Sequence, residues 1–248
     1  MAITIGLFDS GLGGLTILRH LQKTYSNVNY VYVADYAYNP YGIKDFKVIE
    51  GRVKAISKFL ENKCDVIVIA CNTASIHINS IKSSKKIFDI ILPTAYYAIA
   101  KSKGRIGVLA TDKTIQYGKY QEIIEKAGLK VIAVKASEFV DIIESNKIEE
   151  EGSFKIYQEK MQQLKDVDTI ILGCTHFELI KDKLREIDDT KNYITSGTPI
   201  ASLLKEYINN DKHLGKTWIY LTKSNEHFIK MVANLNINYE SIMIEEIE

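Results

Sequence analysis

The chain has 248 residues, of which 46% are hydrophobic and 25% are charged, and its formal net charge at pH 7 is +1. A chain of this size and composition can form one large or two modest domains with proper cores. Its near-neutral charge, without long blocks of like charge, argues against binding to nucleic acid or an anionic membrane and favours small-molecule chemistry.

The beginning of the chain and its cysteines indicate a cytoplasmic protein. The first predicted strand starts at Ile3, which leaves no room for a signal peptide, and no apolar run approaches the length of a membrane span. Three cysteines make an odd, sparse set, so we expect free thiols in a reducing compartment rather than a disulfide framework.

Short apolar runs alternate with longer amphipathic stretches along the chain, which is typical of parallel βαβ units. A glycine-rich turn leads into the first predicted helix, at 15–25, which carries leucines on one face. Near the end of the chain, the run 218–221 and an amphipathic stretch from Glu226 predict one more strand and helix. The other predicted strands are 3–8, 29–33, 65–70, 105–110, 130–134 and 168–172.

Two segments look like copies of one structural motif: VIVIACNT (66–73) and TIILGCTH (169–176). Each reads as a buried strand, a small residue and then a cysteine where the next helix begins. A second matching pair, IGLFD (5–9) and IGVLA (106–110), has a similar spacing. We therefore expect two pseudo-symmetric α/β domains with parallel sheets, each presenting one thiol to the cleft between them, an arrangement that suits inversion of a stereocentre. Pro93 falls between the halves as a predicted boundary.

Cys71 and Cys174 are the first candidates for chemistry. A helix N-terminus stabilises a thiolate, so the pattern predicts a thiol pKa below the usual value of about 8.5. The alternative is that each is a small core residue at a strand end, which is common for a lone buried cysteine. Cys64 lacks polar neighbours of this kind, and we expect it in the core.

The segment DSGLGG (9–14) follows the first strand, where open α/β sheets bind ligands, and its spacing matches neither a dinucleotide fingerprint nor a P-loop. Asp9 can accept from a substrate ammonium group or orient a thiol. The segment NPYG (39–42) is a turn by composition and fits a surface turn or a binding loop equally well. His176 is either a general acid–base partner or a capping residue, and His77 is expected to serve packing or to lie at the surface. Neither C-x-x-C nor paired histidine spacing occurs, so no metal site is expected.

Five motifs, in this order and spacing, resemble those of the glutamate racemase family: FDSGLGGL (8–15), ADYAYNPYG (34–42), IACNTAS (69–75), ATDKTI (110–115) and LGCTHF (172–177). The resemblance implies a cofactor-independent racemase that supplies D-glutamate for peptidoglycan, with its active site between two α/β domains. It places the first domain at 1–93 plus 206–248 and the second at 94–205. Whether the chain forms a homodimer is left open.

The family's functional residues fall on matching positions of this chain. The resemblance implies that Cys71 and Cys174 are the catalytic thiols, assisted by Asp9, His176 and, in a segment that matches only loosely, Glu144. It implies substrate contacts from Asp9, Ser10, Tyr41, Gly42, Asn72, Thr73, Thr114, Thr175 and His176.

The chain departs from the family pattern at three places. It reads Leu92-Pro93-Thr94 where the family usually has Glu-Pro-Gly, Glu178 where a proline usually follows the second cysteine motif, and Thr195-Ser196-Gly197 where the segment often begins with Asp. None of these positions is a cysteine, so the departures bear on the hinge, oligomer contacts and substrate preference.

The residues leave three other functions open. An aspartate or broad-specificity racemase would keep both cysteines, a cysteine-nucleophile hydrolase would need one thiol with its histidine, and a non-catalytic amino-acid-binding protein would need no matched thiols. We expect glutamate to be preferred over aspartate by at least about tenfold in kcat/KM.

Overall fold

A computed structural model describes residues 2–209 and 214–248 of the chain. It contains two parallel sheets, each flanked by helices, which is the predicted two-domain α/β architecture. The strands are β1 (Thr4–Asp9), β2 (Asn29–Ala34), β3 (Val66–Ile69), β4 (Lys86–Asp89), β5 (Arg105–Ala110), β6 (Lys130–Lys135), β7 (Thr169–Gly173), β8 (Asn192–Ile194), β9 (Thr217–Leu221) and β10 (Ser241–Ile244).

The seven predicted strands begin and end within one residue of their predicted bounds. The helices are α1 (Leu15–Thr24), α2 (Phe46–Glu61), α3 (Asn72–Ser75), α4 (Ile91–Lys101), α5 (Asp112–Tyr117), α6 (Lys119–Lys126), α7 (Glu138–Glu144), α8 (Glu151–Gln162), α9 (Lys181–Ile187), α10 (Gly197–Leu204) and α11 (Glu226–Asn234). Among the described residues, none of these helices is both long and apolar enough to cross a membrane.

The two sheets share one strand order. The first runs β10-β9-β2-β1-β3-β4 and the second runs β6-β5-β7-β8, so the order β2-β1-β3-β4 repeats as β6-β5-β7-β8. The central strands are continuous apolar runs because helices cover both faces of each sheet. This repetition confirms the two related halves that the matching segments predicted.

The unit predicted near the end of the chain returns to the first sheet. β9 pairs in parallel with β2, and β10 pairs with β9, so the last strands extend the first sheet beyond its repeated core. Between them, α11 begins after Asn225, whose side chain accepts a hydrogen bond from the Phe228 backbone N–H.

Pro93 lies in the first turn of α4, where the missing N–H of a proline costs little. The Asp89 side chain accepts hydrogen bonds from the backbone N–H groups of Ile91 and Leu92 and so completes the start of this helix. α4 packs on β7 and β8 of the second sheet. The domain bounds at 93/94 and 205/206 stay a prediction.

Candidate active site

Segments that follow the central strands of both sheets line a single cavity of about 50 Å³. Ligands of open parallel sheets bind at this carboxyl edge, where neighbouring connections diverge. Both Cys71 and Cys174 lie in its wall, and neither forms a disulfide. The other lining residues are Ser10, Pro40, Tyr41, Gly42, Ile43, Asn72, Thr73, Thr111, Ser137, Val140, Asp141, Thr175 and His176.

Cys71 follows β3 and occupies the N-cap position of α3, as the sequence predicted. Its predicted low pKa is wrong for this structure. Burial and then the negative charge of Asp9 raise the pKa of the thiol, and the hydrogen bond from the Ala74 N–H at the helix start only partly offsets them. The physical reason is that the sulfur is removed from water, which disfavours a thiolate more than one helix turn favours it.

Cys174 holds the equivalent position after β7, at the N-cap of a 3-10 helix spanning Thr175–Ile180. Its Sγ lies 3.8 Å from His176 Nδ1, and His176 Nε2 lies 2.9 Å from Glu144 Oε1. A thiol, an imidazole and a carboxylate therefore form one chain of contacts. The side-chain partner of Cys71 is instead the Ser10 hydroxyl, at 4.0 Å.

The pKa of His176 shows what this chain of contacts does. Burial by itself would lower that pKa, but the hydrogen bonds to the Cys174 sulfur and the Glu144 carboxylate raise it well above its usual value. A protonated imidazole at this place can stabilise a thiolate on Cys174. Of the two roles considered for His176, this contact favours the acid–base partner.

Asp9 lies behind the cavity rather than in its wall. It is fully buried, its Oδ1 accepts the Gly11 N–H at 2.8 Å, and its Oδ2 accepts the Thr175 hydroxyl at 3.1 Å. Burial raises the pKa of Asp9 to about 6, although the charge of His176 opposes this. The bond to Thr175 joins the end of β1 to the segment that follows β7, so Asp9 connects the two domains at the cavity.

The glycine-rich turn lets the two domains approach closely. A Cβ on Gly13 would lie 2.6 Å from His176 Nδ1 and 2.8 Å from the His176 backbone nitrogen, closer than real Cβ contacts allow. Only glycine fits there without moving the imidazole.

Six of the predicted substrate contacts line the cavity in addition to His176. Tyr41 and Gly42 belong to a 3-10 helix, and the buried Tyr41 side chain makes this segment part of the cavity wall rather than an ordinary surface turn. The other four are Ser10, Asn72, Thr73 and Thr175.

Thr114 and Glu144 do not line the cavity. The Thr114 hydroxyl lies 3.0 Å from that of Thr111 and 3.4 Å from that of Thr73, and both of these residues do line it. Glu144 reaches the site through His176 and also accepts a hydrogen bond from Asn39 Nδ2 at 3.3 Å. Thr114 and Glu144 therefore stand one residue behind the wall.

Sequence reasoning missed Thr111, Ser137 and Asp141 as lining residues. Thr111 directly follows β5, as Ser10 follows β1, so the repeat between the two halves contained a signal for it. Ser137 and Asp141 follow β6, which has no conspicuous motif.

Two residues that the sequence set aside are packing residues in the structure. Cys64 lies in the core of the first domain, where burial raises its pKa to about 12. The His77 ring packs on Phe46, with 4.1 Å between ring centroids. Within residues 2–209 and 214–248, no group of three or more histidine, cysteine or carboxylate side chains could hold a metal ion.

Comparisons with known proteins agree with this geometry. Residues 15–200 match the model of the Asp/Glu/hydantoin racemase family. Glutamate racemase from Aquifex aeolicus strain VF5 is 36% identical over 236 residues, covering 92% of each chain. The crystal structure of glutamate racemase from Francisella tularensis in complex with D-glutamate is 28% identical, with a TM-score of 0.88 over 98% of this chain and 97% of that one.

A structure of aspartate racemase from Picrophilus torridus shares the fold less closely. It is 20% identical and superposes with a TM-score of 0.69 over 83% of this chain and 94% of that chain. The family model covers most of the chain, and two thiols, one from each repeated half, line one cavity. The chain belongs to the Asp/Glu/hydantoin racemase family.

Proposed function

We propose that this chain is a cofactor-independent racemase that interconverts L- and D-glutamate by proton transfer between the substrate and two thiols, Cys71 and Cys174. The observation that carries the proposal is that two buried cysteines, one from each domain, line one cavity at matching positions. A single base cannot easily reach both faces of an α-carbon, whereas thiols on two walls can.

In each turnover, one cysteine acts as a thiolate and takes the α-proton, while the opposite cysteine acts as a thiol and gives its proton to the other face of the α-carbon. The C–H electron pair stays on the substrate as a carbanion and then forms the new C–H bond. The two sulfurs end with exchanged protonation states, and the roles reverse for the other enantiomer. No step of this scheme calls for a cofactor.

The surroundings of the sulfurs favour a starting state for one direction. The high pKa of Cys71 suits a thiol that donates, and the His176 imidazolium next to Cys174 suits a thiolate that accepts. Glu144 holds His176 in place through its second ring nitrogen. Asp9, which can carry a proton up to about pH 6, assists at the domain contact.

Carbanion formation places negative charge on the α-carboxylate, so the site must supply hydrogen-bond donors to that group. Asn72, Thr73 and Thr175 come from the starts of the two segments that follow the cysteines, and all three line the cavity. The small cavity limits the water that competes for these donors.

The preferred substrate is glutamate, the amino acid named for the relatives from Aquifex aeolicus and Francisella tularensis. One methylene distinguishes it from aspartate and is worth only about 1–3 kcal/mol by packing alone, so the preference depends on where donors meet the distal carboxylate. We expect kcat/KM for glutamate to exceed that for aspartate by at least about tenfold. The biological role of the protein would be to supply D-glutamate for peptidoglycan in the cytoplasm.

The chain of Cys174, His176 and Glu144 is also the arrangement of a cysteine hydrolase, which makes thiol-dependent hydrolysis the second candidate. One experiment separates the two. Purified protein without added cofactor is incubated with L-glutamate or L-aspartate in D2O. Circular dichroism follows the decay of the L-amino acid's signal, and NMR follows loss of the α-proton. Racemisation with α-deuteration supports the proposal, and absence of both would refute it.

A further inference from the structure

The side-chain amide of Asn72 has one partnered end and one free end. Tyr120 donates its hydroxyl proton to Asn72 Oδ1 over 2.7 Å. Asn72 Nδ2 is buried, and among the described residues it has no hydrogen-bond partner. Asn72 is only 2% exposed and lines the same cavity as the two cysteines. A buried donor without a partner is costly, so its place beside the substrate cavity calls for an acceptor that the substrate brings.

The orientation of this amide decides what it presents to a substrate. An asparagine side chain can rotate by half a turn and exchange its oxygen and nitrogen at almost no cost in shape. With Nδ2 toward the cavity it donates to a carboxylate, and with Oδ1 toward the cavity it repels one. Tyr120 removes this ambiguity because its hydroxyl proton requires an acceptor on its own side.

Tyr120 is well placed for this task. It lies at the start of α6 in the second domain, is fully buried, and meets Asn72 of the first domain across the interface. Burial raises its pKa, so the hydroxyl keeps its proton throughout the working pH range. Thr94 and Ser196 lie against the phenol oxygen, and their hydroxyls are 3.0 Å apart. These two residues belong to segments in which the chain departs from the racemase pattern.

We propose that Tyr120 is a positioning residue that fixes the Asn72 amide so that Nδ2 donates to the α-carboxylate of the substrate when the domains are closed. This rests on the racemase function proposed above. Tyr120 itself does not touch the substrate, since it does not line the cavity.

The test is Tyr120→Phe, which removes one oxygen and keeps the ring. We expect kcat/KM for glutamate to fall about tenfold to hundredfold in both directions, with the larger share in kcat, because the charge that Asn72 stabilises grows as the α-proton leaves. The matched control is Tyr157→Phe. Tyr157 is also fully buried in the second domain, but its hydroxyl has no partner among the described residues, so its loss should leave kcat/KM within about twofold of the native value.

A double-mutant cycle separates positioning from general damage. Asn72→Ala should cost much more in kcat/KM in the native background than in Tyr120→Phe, because the phenol acts only through this amide. Additive losses, or an unchanged kcat/KM in Tyr120→Phe, would overturn the proposal.

A third measurement does not depend on turnover. In protein labelled with 15N-asparagine, the side-chain amide signal of Asn72, identified by its absence in Asn72→Ala, should move on Tyr120→Phe and stay unchanged in Tyr157→Phe. If the native protein racemises neither amino acid, the proposed function fails. If the Asn72 signal does not move on Tyr120→Phe, the positioning role fails, whether or not the protein is a racemase.

Discussion

Cys71 and Cys174 hold equivalent positions in the two domains, yet their immediate surroundings differ. Cys174 contacts His176, which Glu144 holds, whereas the side-chain partner of Cys71 is the Ser10 hydroxyl. The proposed reaction uses both faces of the α-carbon equally, although the two sulfurs have different surroundings. The strand–cysteine pattern predicts both positions. It could not predict the high pKa of Cys71, because that follows from burial by residues distant in sequence.

The first prediction concerns the thiols themselves. Cys71→Ala and Cys174→Ala should each abolish racemisation in both directions, with at least about a hundredfold loss in kcat, because every turnover needs one base and one acid. Steady-state rates from L- and D-glutamate measure this. Cys64→Ala is the control, since Cys64 is buried in the core away from the cavity and should leave turnover near the native rate. Near-native activity in either of the first two variants would make that cysteine structural.

The second prediction concerns Asp9. Its pKa is about 6 when folded and near 3.8 when unfolded, so the native protein gains stability from the protonated form at low pH and loses it as pH rises through 6. Asp9→Asn removes the ionisable group, and with it this loss of stability at higher pH. Its stability relative to the native chain should rise with pH from 4 and level off above pH 7, by up to about 3 kcal/mol.

Urea unfolding of both proteins at several pH values checks this. Asp166→Asn, at an exposed carboxylate, should show no such trend. A difference between Asp9→Asn and the native chain that does not change with pH would contradict the proposed protonation of Asp9.

At the scale of the elements, the site depends on how each strand ends. β3 and β7 are each followed by a short helical segment whose N-cap residue is a cysteine, and β1 is followed by a glycine-rich turn. These features have strong local patterns, and sequence reasoning located all three. It missed β4, β8 and β10, which are short strands at or near sheet edges that exist because β3, β7 and β9 offer free hydrogen-bonding edges. No local pattern encodes such an edge.

The third prediction tests the glycine-rich turn. Gly13→Ala should lower kcat/KM by at least about tenfold, because the added Cβ would push against His176 and displace the chain of contacts to Cys174. Gly51→Ala is the matched control. Gly51 lies within α2, and a Cβ added to it would meet no atom within 4 Å, so alanine there should keep activity and raise stability by about 0.5–1 kcal/mol. Equal activity of the two variants would contradict the steric role given to Gly13.

At the scale of the whole molecule, the site exists only where the two domains meet. The Asp9–Thr175, Asn39–Glu144 and Tyr120–Asn72 hydrogen bonds each join the domains around the cavity. The repeated segments predict the general arrangement of two domains with a thiol from each. They do not predict these cross-domain partners, because no pattern in either half records which side chain of the other half it will face.

The fourth prediction follows from this. Glutamate contacts both domains in the proposed complex, so it should stabilise the folded chain against heat. Glutamate at a hundred times its Kd adds about 3 kcal/mol, and a protein of this size gains about 2–4 °C per kcal/mol. We therefore expect the Tm to rise by several degrees, and by less with aspartate at the same concentration.

The double variant Cys71→Ala/Cys174→Ala should keep this shift, because the carboxylate donors remain. Differential scanning fluorimetry measures it. Loss of the shift in the double variant would mean that the thiols, rather than the hydrogen-bond donors, hold the substrate.

The return of β9 and β10 to the first sheet has a consequence for synthesis on the ribosome. The strands of the second sheet lie within one continuous stretch, 105–194, whereas the first sheet gains its last two strands from residues 217–244. The second sheet can therefore be complete while the β2 edge of the first sheet is still unpaired, because β9 has not yet been synthesised. Emergence of the last residues covers this edge, so the half of the molecule that is translated first is the half that is finished last.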